Sequence, residues 1–329
     1  MRHSRTWRSH RSSGSSRPSP AASTRLAEIA MTRVGIVGTG RMGSAIARAI
    51  RSGGFDVMLW NRTRAPCDAL AAELGCRSVE TPAEVAAVSD VTISMLSDAA
   101  AVDAVYGASD GVIAGMRPGS VLVDSSTVPP AVIRRHERAI RDRGAGVIDA
   151  PVSGSVALAE SGRLTLMVGG ELSDVERARP VLEAYGDRLF HLGPLGTGAA
   201  MKLAVNTVIF GLNQALSEGL VLAERAGIRR EWAYDVLAAS AVGAPYVGYK
   251  RAAFLEPDTT PVAFSAELAA KDLRLIESLA ADLDLELPQS KVDLAVMDAL
   301  LSAGQGEKDF SAVAAYLRDE RTAGEGATG

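Results

Sequence analysis

A lysine and two asparagines fall on one face of a long, largely apolar segment. Lys202, Asn206 and Asn213 follow one another at intervals of four and seven residues, so in a helix their side chains form one stripe. The chain has 30 Arg and only 5 Lys, and a partly buried Lys, unlike Arg, can release its proton near neutral pH. A carbonyl/alcohol couple needs such a group to move the hydroxyl proton. We therefore predict that Lys202 is a catalytic acid/base; the alternative is a lysine whose stem packs on the helix and whose ammonium reaches solvent.

A glycine-rich loop lies directly after the first apolar strand. Residues 38–43 match G-x-G-x-x-G, and a helix of small residues, SAIARAI, follows. In this context the glycines allow a tight turn, close approach of the backbone to a pyrophosphate, and a helix N-terminus that faces the phosphates. We predict a dinucleotide site; the alternative is a packing turn in another α/β domain. The cofactor residues predicted here are Gly38, Thr39, Gly40, Arg41, Met42 and Gly43.

The end of the second strand bears on the choice of cofactor. In NAD-specific domains an acidic residue near this point binds the ribose hydroxyls, whereas this chain has Asn61, Arg62 and Thr63. The Arg62 guanidinium suits a 2′-phosphate or stacking on adenine, and Asn61 and Thr63 add polar groups. The triplet favours NADP(H) and leaves NAD(H) open. The alternative is a solvated loop arginine.

The elements that must position these residues follow two patterns. Up to about residue 193, short β-branched runs alternate with helical segments, which predicts a parallel, doubly wound (Rossmann-type) sheet. After it, helical periodicity alone continues, so we predict an α/β domain followed by an all-helical domain. The predicted strands are Val34–Val37, Val57–Trp60, Val91–Ser94, Val121–Val123 and Val147–Ile148. The predicted helices are Met42–Ser52, Ala65–Leu74, Ala131–Arg143, Ala199–Ala226, Glu231–Ser240, Ser265–Asp282, Lys291–Ser302 and Phe310–Arg318.

Composition narrows the class of protein. A length of 329 residues suggests two domains, and 47% hydrophobic with 22% charged residues is typical of globular proteins. Apolar runs are too short to span a bilayer. The two cysteines, Cys67 and Cys76, have no metal-ligand spacing and favour a reducing compartment. Beyond residue 30 the chain has 29 basic and 38 acidic residues, a net charge of −9, which does not favour nucleic-acid binding.

The ends of the chain differ from its body. Residues 1–30 contain six Arg and one acidic residue and little apolar periodicity, so we predict a disordered extension. A transit peptide for organellar import, or a start upstream of Met31, are the alternatives considered, and we expect a cytoplasmic protein. The turn-rich segment LGPLGTG marks the domain boundary. The predicted organisation is an extension at 1–30, a dinucleotide-binding domain at 31–194, a helical domain at 195–320 and a frayed tail at 321–329.

Six blocks in order resemble one known family, the β-hydroxyacid dehydrogenases related to 3-hydroxyisobutyrate dehydrogenase. They are VGIVGTGRMG (34–43), WNRT (60–63), DSSTV (124–128), DAPVSGS (149–155), GTGAAMKLAVN (196–206) and AAKDLRL (269–275). Many members have Gly-Gly after the serine of the fourth block, where this chain has Gly-Ser. Four features look more like the glyoxylate/succinic semialdehyde reductases. They are this Gly-Ser pair, the triplet NRT (61–63), AESG (159–162) and DFSAV (309–313).

The resemblance implies an NAD(P)-dependent oxidoreductase that interconverts a small hydroxy acid and its semialdehyde or keto acid by hydride transfer. It makes Lys202 the acid/base and Asn206 the neighbour that orients the substrate. It implies that the substrate carboxylate is held by Ser153, Gly154 and Ser155. It places Leu96, Ser97 and Thr127 on the nicotinamide half of the cofactor site, with Lys271 reaching over the cofactor.

The resemblance also implies a homodimer or homotetramer formed through the helical domain. Two other functions stay open at this point: an imine reductase on the same scaffold, and a non-catalytic nucleotide-binding scaffold protein. Relatives of the first kind usually have Asp or Tyr at the position of Lys202, and relatives of the second kind tend to lose the lysine. The retained lysine counts against both. The sequence does not identify the substrate acid; the segment Ala238–Phe254 is expected to set its length.

Overall fold

The computed structural model describes Thr6–Arg8 and residues 32–318. The chain divides into two compact units, Met1–Lys202 and Leu203–Gly329. The division falls inside one long helix, α9 (Thr197–Arg225), eight residues beyond the boundary that the turn-rich segment predicts.

The first unit is built on one twisted sheet. Its described strands are β1 (Thr6–Arg8), β2 (Arg33–Val37), β3 (Asp56–Trp60), β4 (Arg77–Ser78), β5 (Val91–Ser94), β6 (Val121–Asp124), β7 (Gly146–Asp149), β8 (Val152–Ser153), β9 (Leu164–Gly170) and β10 (Gly186–Gly193). The order across the sheet is β1-β10-β9-β7-β6-β5-β2-β3-β4, with β8 beside β9. From β4 to β7 all pairs are parallel. Strand order reverses between β2 and β5, which is where doubly wound sheets bind ligands.

Helices cover the sheet as the alternating pattern predicts. They are α1 (Arg41–Ser52), α2 (Arg64–Leu74), α3 (Pro82–Val88), α4 (Ala99–Gly107), α5 (Val112–Gly115), α6 (Pro130–Asp142), α7 (Val156–Glu160) and α8 (Leu172–Tyr185). In β2, Val34 and Ile36 belong to one buried cluster and Val37 to another, because side chains alternate between the faces of a strand. The predicted Rossmann-type fold is confirmed, since a buried sheet with helices on both faces is what the continuous apolar strands require.

Three strands that the sequence analysis does not identify extend the sheet beyond β7. β9 runs antiparallel to β7, and β10 runs parallel to β9. β1 then pairs antiparallel with β10, from Thr6 opposite Phe190 to Arg8 opposite Arg188. Within the predicted disordered extension these three residues therefore form an edge strand, because the free edge of β10 offers unpaired backbone groups. The rest of 1–30 and the tail at 321–329 lie outside the described residues.

The second unit is helical in its described part. After α9 come α10 (Arg230–Ala239), α11 (Pro245–Leu255), α12 (Ala266–Asp282), α13 (Pro288–Ser302), a 3₁₀ turn (Phe310–Ala312) and a helical stretch at 313–318. The predicted helical domain is confirmed. Apolar side chains of these helices form one buried cluster that includes Leu203, Phe210 and Phe310. None of the helices described in residues 32–318 is long and apolar enough to cross a bilayer.

A buried polar network holds the 3₁₀ turn in this unit. Asn213 donates to the carbonyl oxygen of Phe310 over 3.1 Å and accepts from the Tyr246 hydroxyl over 2.7 Å. Lys250, only 3% exposed, donates to both oxygens of Asp309 over 2.6 and 2.7 Å. Asn213 shares a stripe with Lys202, but its side chain bonds to the fold of its own unit.

Candidate active site

The glycine loop has a different steric requirement at each of its three glycines. Gly38 has φ of +98°, and a Cβ there would lie 2.3 Å from the Met95 carbonyl oxygen. A Cβ on Gly43 would lie 2.0 Å from the carbonyl oxygen of Gly38. A Cβ on Gly40 would meet no atom of the described chain within 4 Å. The outer glycines are therefore required by the fold, whereas the middle one leaves open space for a ligand.

The start of α1 suits an anion. Gly40 is the N-cap residue and offers no side-chain cap, and no acidic residue lies in the first turn of the helix. An uncapped helix N-terminus presents N–H groups and a partial positive charge, which together bind phosphate. The residues present here, including the predicted Arg41 and Met42, therefore fit a pyrophosphate.

Asn61 has a role that the sequence analysis missed. Its Oδ1 accepts from the N–H of Thr39 over 3.0 Å, and its Nδ2 donates to the carbonyl oxygen of Thr63 over 3.0 Å. The amide thus ties the glycine loop to the loop after β3. Asn61 stays a predicted cofactor residue; in the structure its amide positions the loop, and the Thr39 N–H is already bonded.

Two arginines near this loop have different surroundings. Arg62 is exposed and has no ion-pair partner within residues 32–318. Arg64 donates to the carbonyl oxygen of Val79 and lies 3.2 Å from both Asp68 and Glu80. The guanidinium of Arg62 is therefore available for an added group, whereas that of Arg64 stabilises its own loop.

The ends of the neighbouring parallel strands bring three more predicted residues to the same edge of the sheet. Leu96 and Ser97 follow β5, and Thr127 follows β6, which pairs with β5. The Leu96 N–H donates to Ser126 Oγ over 3.0 Å, and the Ser97 hydroxyl donates to Asp98 over 2.7 Å. The bond from Leu96 to Ser126 ties the loop after β5 to the loop after β6, close to the reversal of strand order between β2 and β5. Thr127 is half-buried there.

Asp124, at the end of β6, is a buried carboxyl behind this edge. Its Oδ1 accepts from the N–H of Ser126 over 2.9 Å and from the Ser94 hydroxyl over 3.2 Å. Burial raises the pKa of Asp124 to about 6, although its hydrogen bonds favour the charged form. Asp124 therefore positions Ser126, and through it Leu96.

The predicted substrate loop follows β8. Ser153 ends that strand and pairs with Thr165. Gly154 has φ of +139°, and a Cβ there would lie 2.7 Å from the Leu164 side chain. The hydroxyl oxygen of Ser155 accepts the N–H of Leu158 over 3.3 Å, which leaves its hydrogen as a donor. The loop can present two hydroxyls and backbone N–H groups, the donors that a carboxylate accepts.

Lys202 lies in the first unit, five residues after the start of α9, and is half-buried. Asn206 follows one turn later on the same helix and is 5% exposed. In the second unit, Asn206 Nδ2 donates to Asp272 Oδ2 over 2.8 Å, and Lys271 Nζ lies 2.9 Å from Asp272 Oδ1. Asp272 therefore holds two predicted site residues. The sequence signal for it is its place beside Lys271 in the block AAKDLRL.

The sheet order, the glycine loop and the start of α1 define a dinucleotide-binding domain of the Rossmann class. Residues 33–193 match the family described as the NAD binding domain of 6-phosphogluconate dehydrogenase. Residues 196–317 match the family described as NAD-binding of NADP-dependent 3-hydroxyisobutyrate dehydrogenase.

Individual proteins agree with these matches. The chain is 35% identical to glyoxylate/succinic semialdehyde reductase 2, chloroplastic, of Arabidopsis thaliana, over 88% of this chain and 81% of that protein. It is 31% identical to an NAD-dependent L-serine dehydrogenase of Pseudomonas aeruginosa, over 86% and 97%. A crystal structure of 3-hydroxyisobutyrate dehydrogenase from Salmonella typhimurium superposes with a TM-score of 0.79 at 30% identity, over 87% and 99%.

The chain belongs to the 3-hydroxyisobutyrate dehydrogenase family. It is an NAD(P)-dependent oxidoreductase that acts on the hydroxyl/carbonyl couple of small hydroxy acids, and its cofactor is NADP(H) or NAD(H). The comparisons support this function rather than the imine-reductase or scaffold alternative.

Proposed function

We propose that the chain interconverts a short semialdehyde or keto acid and the corresponding hydroxy acid, with NADP(H) preferred over NAD(H). The observation that carries the preference is Arg62, exposed at the end of β3 where NAD-specific domains have an acidic residue. Its guanidinium can bind a 2′-phosphate in a bidentate fashion. The relative from Arabidopsis thaliana is named for glyoxylate and succinic semialdehyde, and both belong to the substrate class we propose.

The cofactor residues proposed are the glycine loop, the triplet Asn61–Thr63 and the loops after β5 and β6. Gly38 and Gly43 shape the turn, and Gly40 lets the pyrophosphate approach the backbone. Leu96, Ser97 and Thr127 line the nicotinamide half, and Lys271 is kept as a proposed cofactor residue because of the family resemblance. The bound cofactor supplies or accepts the hydride, and every proton and positioning step belongs to the protein.

Lys202 is the proposed proton donor and acceptor. During reduction its ammonium protonates the carbonyl oxygen of the substrate, and during oxidation its neutral amine takes the hydroxyl proton. Ser153, Gly154 and Ser155 bind the carboxylate and so orient the carbon that reacts. Asn206 orients the substrate beside Lys202. The substrate is therefore held at its acid end and protonated at its carbonyl end.

The experiment that tests this function is a turnover screen followed by substitution of Lys202. NADPH and NADH oxidation are followed with glyoxylate, succinic semialdehyde, tartronate semialdehyde and methylmalonate semialdehyde, with a cyclic imine as the control substrate. Lys202→Ala should lower kcat by about 10²–10⁴-fold, the usual contribution of a positioned acid/base, while NADPH affinity measured by fluorescence stays unchanged. Lys202→Arg should restore little, because Arg does not release its proton. Full activity of Lys202→Ala would assign the proton to another group.

We also propose a homodimer or homotetramer formed through the helical unit. Large apolar side chains are exposed there on two helices: Val208 (69%) and Leu222 (73%) on α9, and Trp232 (59%) and Val236 (68%) on α10. Exposed apolar surface of this extent is typical of a protein–protein interface. Sedimentation should give two or four times the chain mass of 34.3 kDa.

The proposed location is the cytoplasm. The two cysteines, buried Cys67 and half-buried Cys76, are both free thiols, as is usual in a reducing compartment. Fluorescence of a tagged full-length chain tests this, and signal confined to an organelle would favour import directed by the Arg/Ser-rich residues 1–30 instead.

A further inference from the structure

Asp149 is a buried carboxylate that contacts the start of the helix bearing Lys202. It is the last residue of β7 and is 2% exposed. Its Oδ1 accepts the N–H of Gly196 over 2.7 Å, and its Oδ2 accepts the N–H of Ala199 over 2.6 Å. One oxygen is therefore bonded to the residue that precedes α9, and the other to the first turn of α9. Lys202 lies only three residues beyond Ala199, about 4.5 Å further along the helix axis.

The backbone of Asp149 is itself fixed. It pairs with Asp124 of β6 on one side and with Gly169 of β9 on the other. Ala150 N–H donates to the carbonyl oxygen of Asp124 over 2.7 Å. The carboxylate that meets α9 therefore projects from an interior strand of the sheet, which is the most rigid part of the unit.

The start of α9 fits closely onto this carboxylate. A Cβ on Gly198 would lie 2.2 Å from the Met167 carbonyl oxygen and 2.9 Å from Asp149 Oδ2. A Cβ on Gly169 would lie 2.4 Å from Asp149 Oδ1. Arg134, on α6, donates to the carbonyl oxygen of Leu195 over 2.8 Å, just before α9 begins. The glycines of the block GTGAAMK thus let the helix N-terminus reach the carboxylate.

We propose that Asp149 is a positioning residue for the reaction: it fixes the first turn of α9 and thereby the place of Lys202. Asp149 is also four residues before Ser153, at the start of the proposed carboxylate-binding loop. The Asp149 side chain therefore connects two segments. One is the loop proposed to bind the substrate carboxylate, and the other is α9, whose Lys202 is proposed to protonate the substrate carbonyl oxygen. This inference rests on the proposed role of Lys202.

The physical reason lies in the geometry of helix ends. The first four N–H groups of a helix have no partner within it, and a carboxylate there satisfies them and opposes the helix dipole. An uncapped first turn frays, and Lys202 lies just beyond that turn. A displacement of about 1 Å at a reacting group lowers turnover by about 10²-fold.

The test compares Asp149→Asn with Asp174→Asn. Asp174, on α8, is equally buried at 1% exposed, but its partners are Arg141, Arg177 and the N–H of Val147. Asparagine can accept only one of the two N–H groups that Asp149 accepts, because its other terminal atom is a donor. With NADPH and whichever of glyoxylate or succinic semialdehyde is turned over, Asp149→Asn should lower kcat about 10–100-fold and leave the Kd for NADPH unchanged. Asp174→Asn should lower Tm and leave kcat near wild type.

Two further measurements separate positioning from general stability. Hydrogen exchange should lose protection in the peptide covering 195–202 in Asp149→Asn and keep it there in Asp174→Asn. In the Lys202→Ala background, Asp149→Asn should lower the residual kcat by less than about twofold, because a residue that acts through Lys202 is not additive with it. If Asp149→Asn is insoluble, Arg134→Gln, which weakens the same segment at Leu195, should show a smaller loss of both protection and kcat.

The outcomes distinguish this inference from the proposed function. Full activity of Lys202→Ala overturns the role of Lys202, and the role of Asp149 with it. If Lys202→Ala is inactive while Asp149→Asn keeps wild-type kcat, only the inference on Asp149 is overturned. It is equally overturned if Asp149→Asn lowers kcat by the same factor with and without Lys202.

Discussion

Gly40 and Gly43 lie three residues apart in one loop, yet alanine should have opposite consequences at the two positions. At Gly43 the new Cβ would lie 2.0 Å from the carbonyl oxygen of Gly38, and contacts under 3.0 Å are essentially never seen. The loop and α1 must therefore separate by about 1 Å at a buried point, an overpacking that costs about 1–3 kcal/mol. We expect Tm to fall by roughly 2–10 °C.

At Gly40 the added methyl group meets no atom of the described chain. The backbone there has φ of −66° and ψ of −173°, a conformation that alanine adopts without strain. Alanine is a poorer N-cap than glycine, but it lowers the entropy of the unfolded chain, and the two effects, each under about 1 kcal/mol, oppose one another. Tm should therefore stay within about 2 °C of wild type. The methyl group would instead occupy the space proposed for the pyrophosphate, and the Kd for NADPH should rise at least about tenfold, or about 1.4 kcal/mol.

The assay is thermal unfolding of both variants without cofactor, followed by NADPH fluorescence titration at a temperature where both are folded. A Gly40→Ala protein that binds NADPH like wild type would refute the placement of the pyrophosphate at Gly40. Unchanged Tm in Gly43→Ala would refute the steric argument for the third glycine of the motif.

Three other substitutions test electrostatic contacts. Arg62→Ala should weaken NADPH binding by roughly 10–150-fold and NADH binding much less. The control, Arg64→Ala, should lower Tm without discriminating between the cofactors. If Arg62→Ala weakens the binding of NADPH and NADH equally, Arg62 stacks on adenine instead of binding the 2′-phosphate. The raised pKa of Asp124, about 6 against an ordinary 3.8, means that the native state holds this proton more tightly than the unfolded state. Its contribution to stability is therefore complete below about pH 4 and is lost by about pH 6, so that at pH 8 the charged group costs about 3 kcal/mol. Asp124→Asn keeps the acceptor for Ser94 and Ser126. Urea unfolding should therefore show this variant to be more stable than wild type at pH 8 by up to about 3 kcal/mol, and the difference should vanish at pH 4. If the stabilities of the two proteins depend on pH in the same way, the buried-charge argument is contradicted.

Features that depend on neighbours in sequence were predictable. The turn at Gly38 and the packing at Gly43 are backbone requirements, and the motif, its strand and its helix all lie within 20 residues. Helix periodicity placed α9 within two residues at its start and one at its end. Each of these inferences uses only local geometry. The spacing of apolar side chains indicates a helix or a strand, and a turn with positive φ requires glycine.

Features that depend on distant partners were not predictable. The bond from Thr39 to Asn61 spans 22 residues, and that from Asn206 to Asp272 spans 66. Asn61 has the same donors and acceptor whether it faces a ribose or a loop, so its type alone cannot assign its role. β10 contains polar residues among its apolar ones and pairs with β1 from the far end of the chain, which gives a weak local signal. Tertiary pairing determines such elements.

The two buried carboxylates on neighbouring strands connect the stability of the first unit with its proposed chemistry. Asp124 and Asp149 lie side by side in the register of β6 and β7, and the charge of Asp149 contributes to the raised pKa of Asp124. Asp124 holds the N–H of Ser126 beside the cofactor loops, while Asp149 holds the N–H groups of Gly196 and Ala199. A pair of like charges in an apolar sheet is unfavourable for folding alone. Such local conflicts concentrate at functional sites, where the surrounding core compensates for them. Neutralising Asp124 should therefore stabilise the fold, whereas neutralising Asp149 should loosen the helix that carries Lys202.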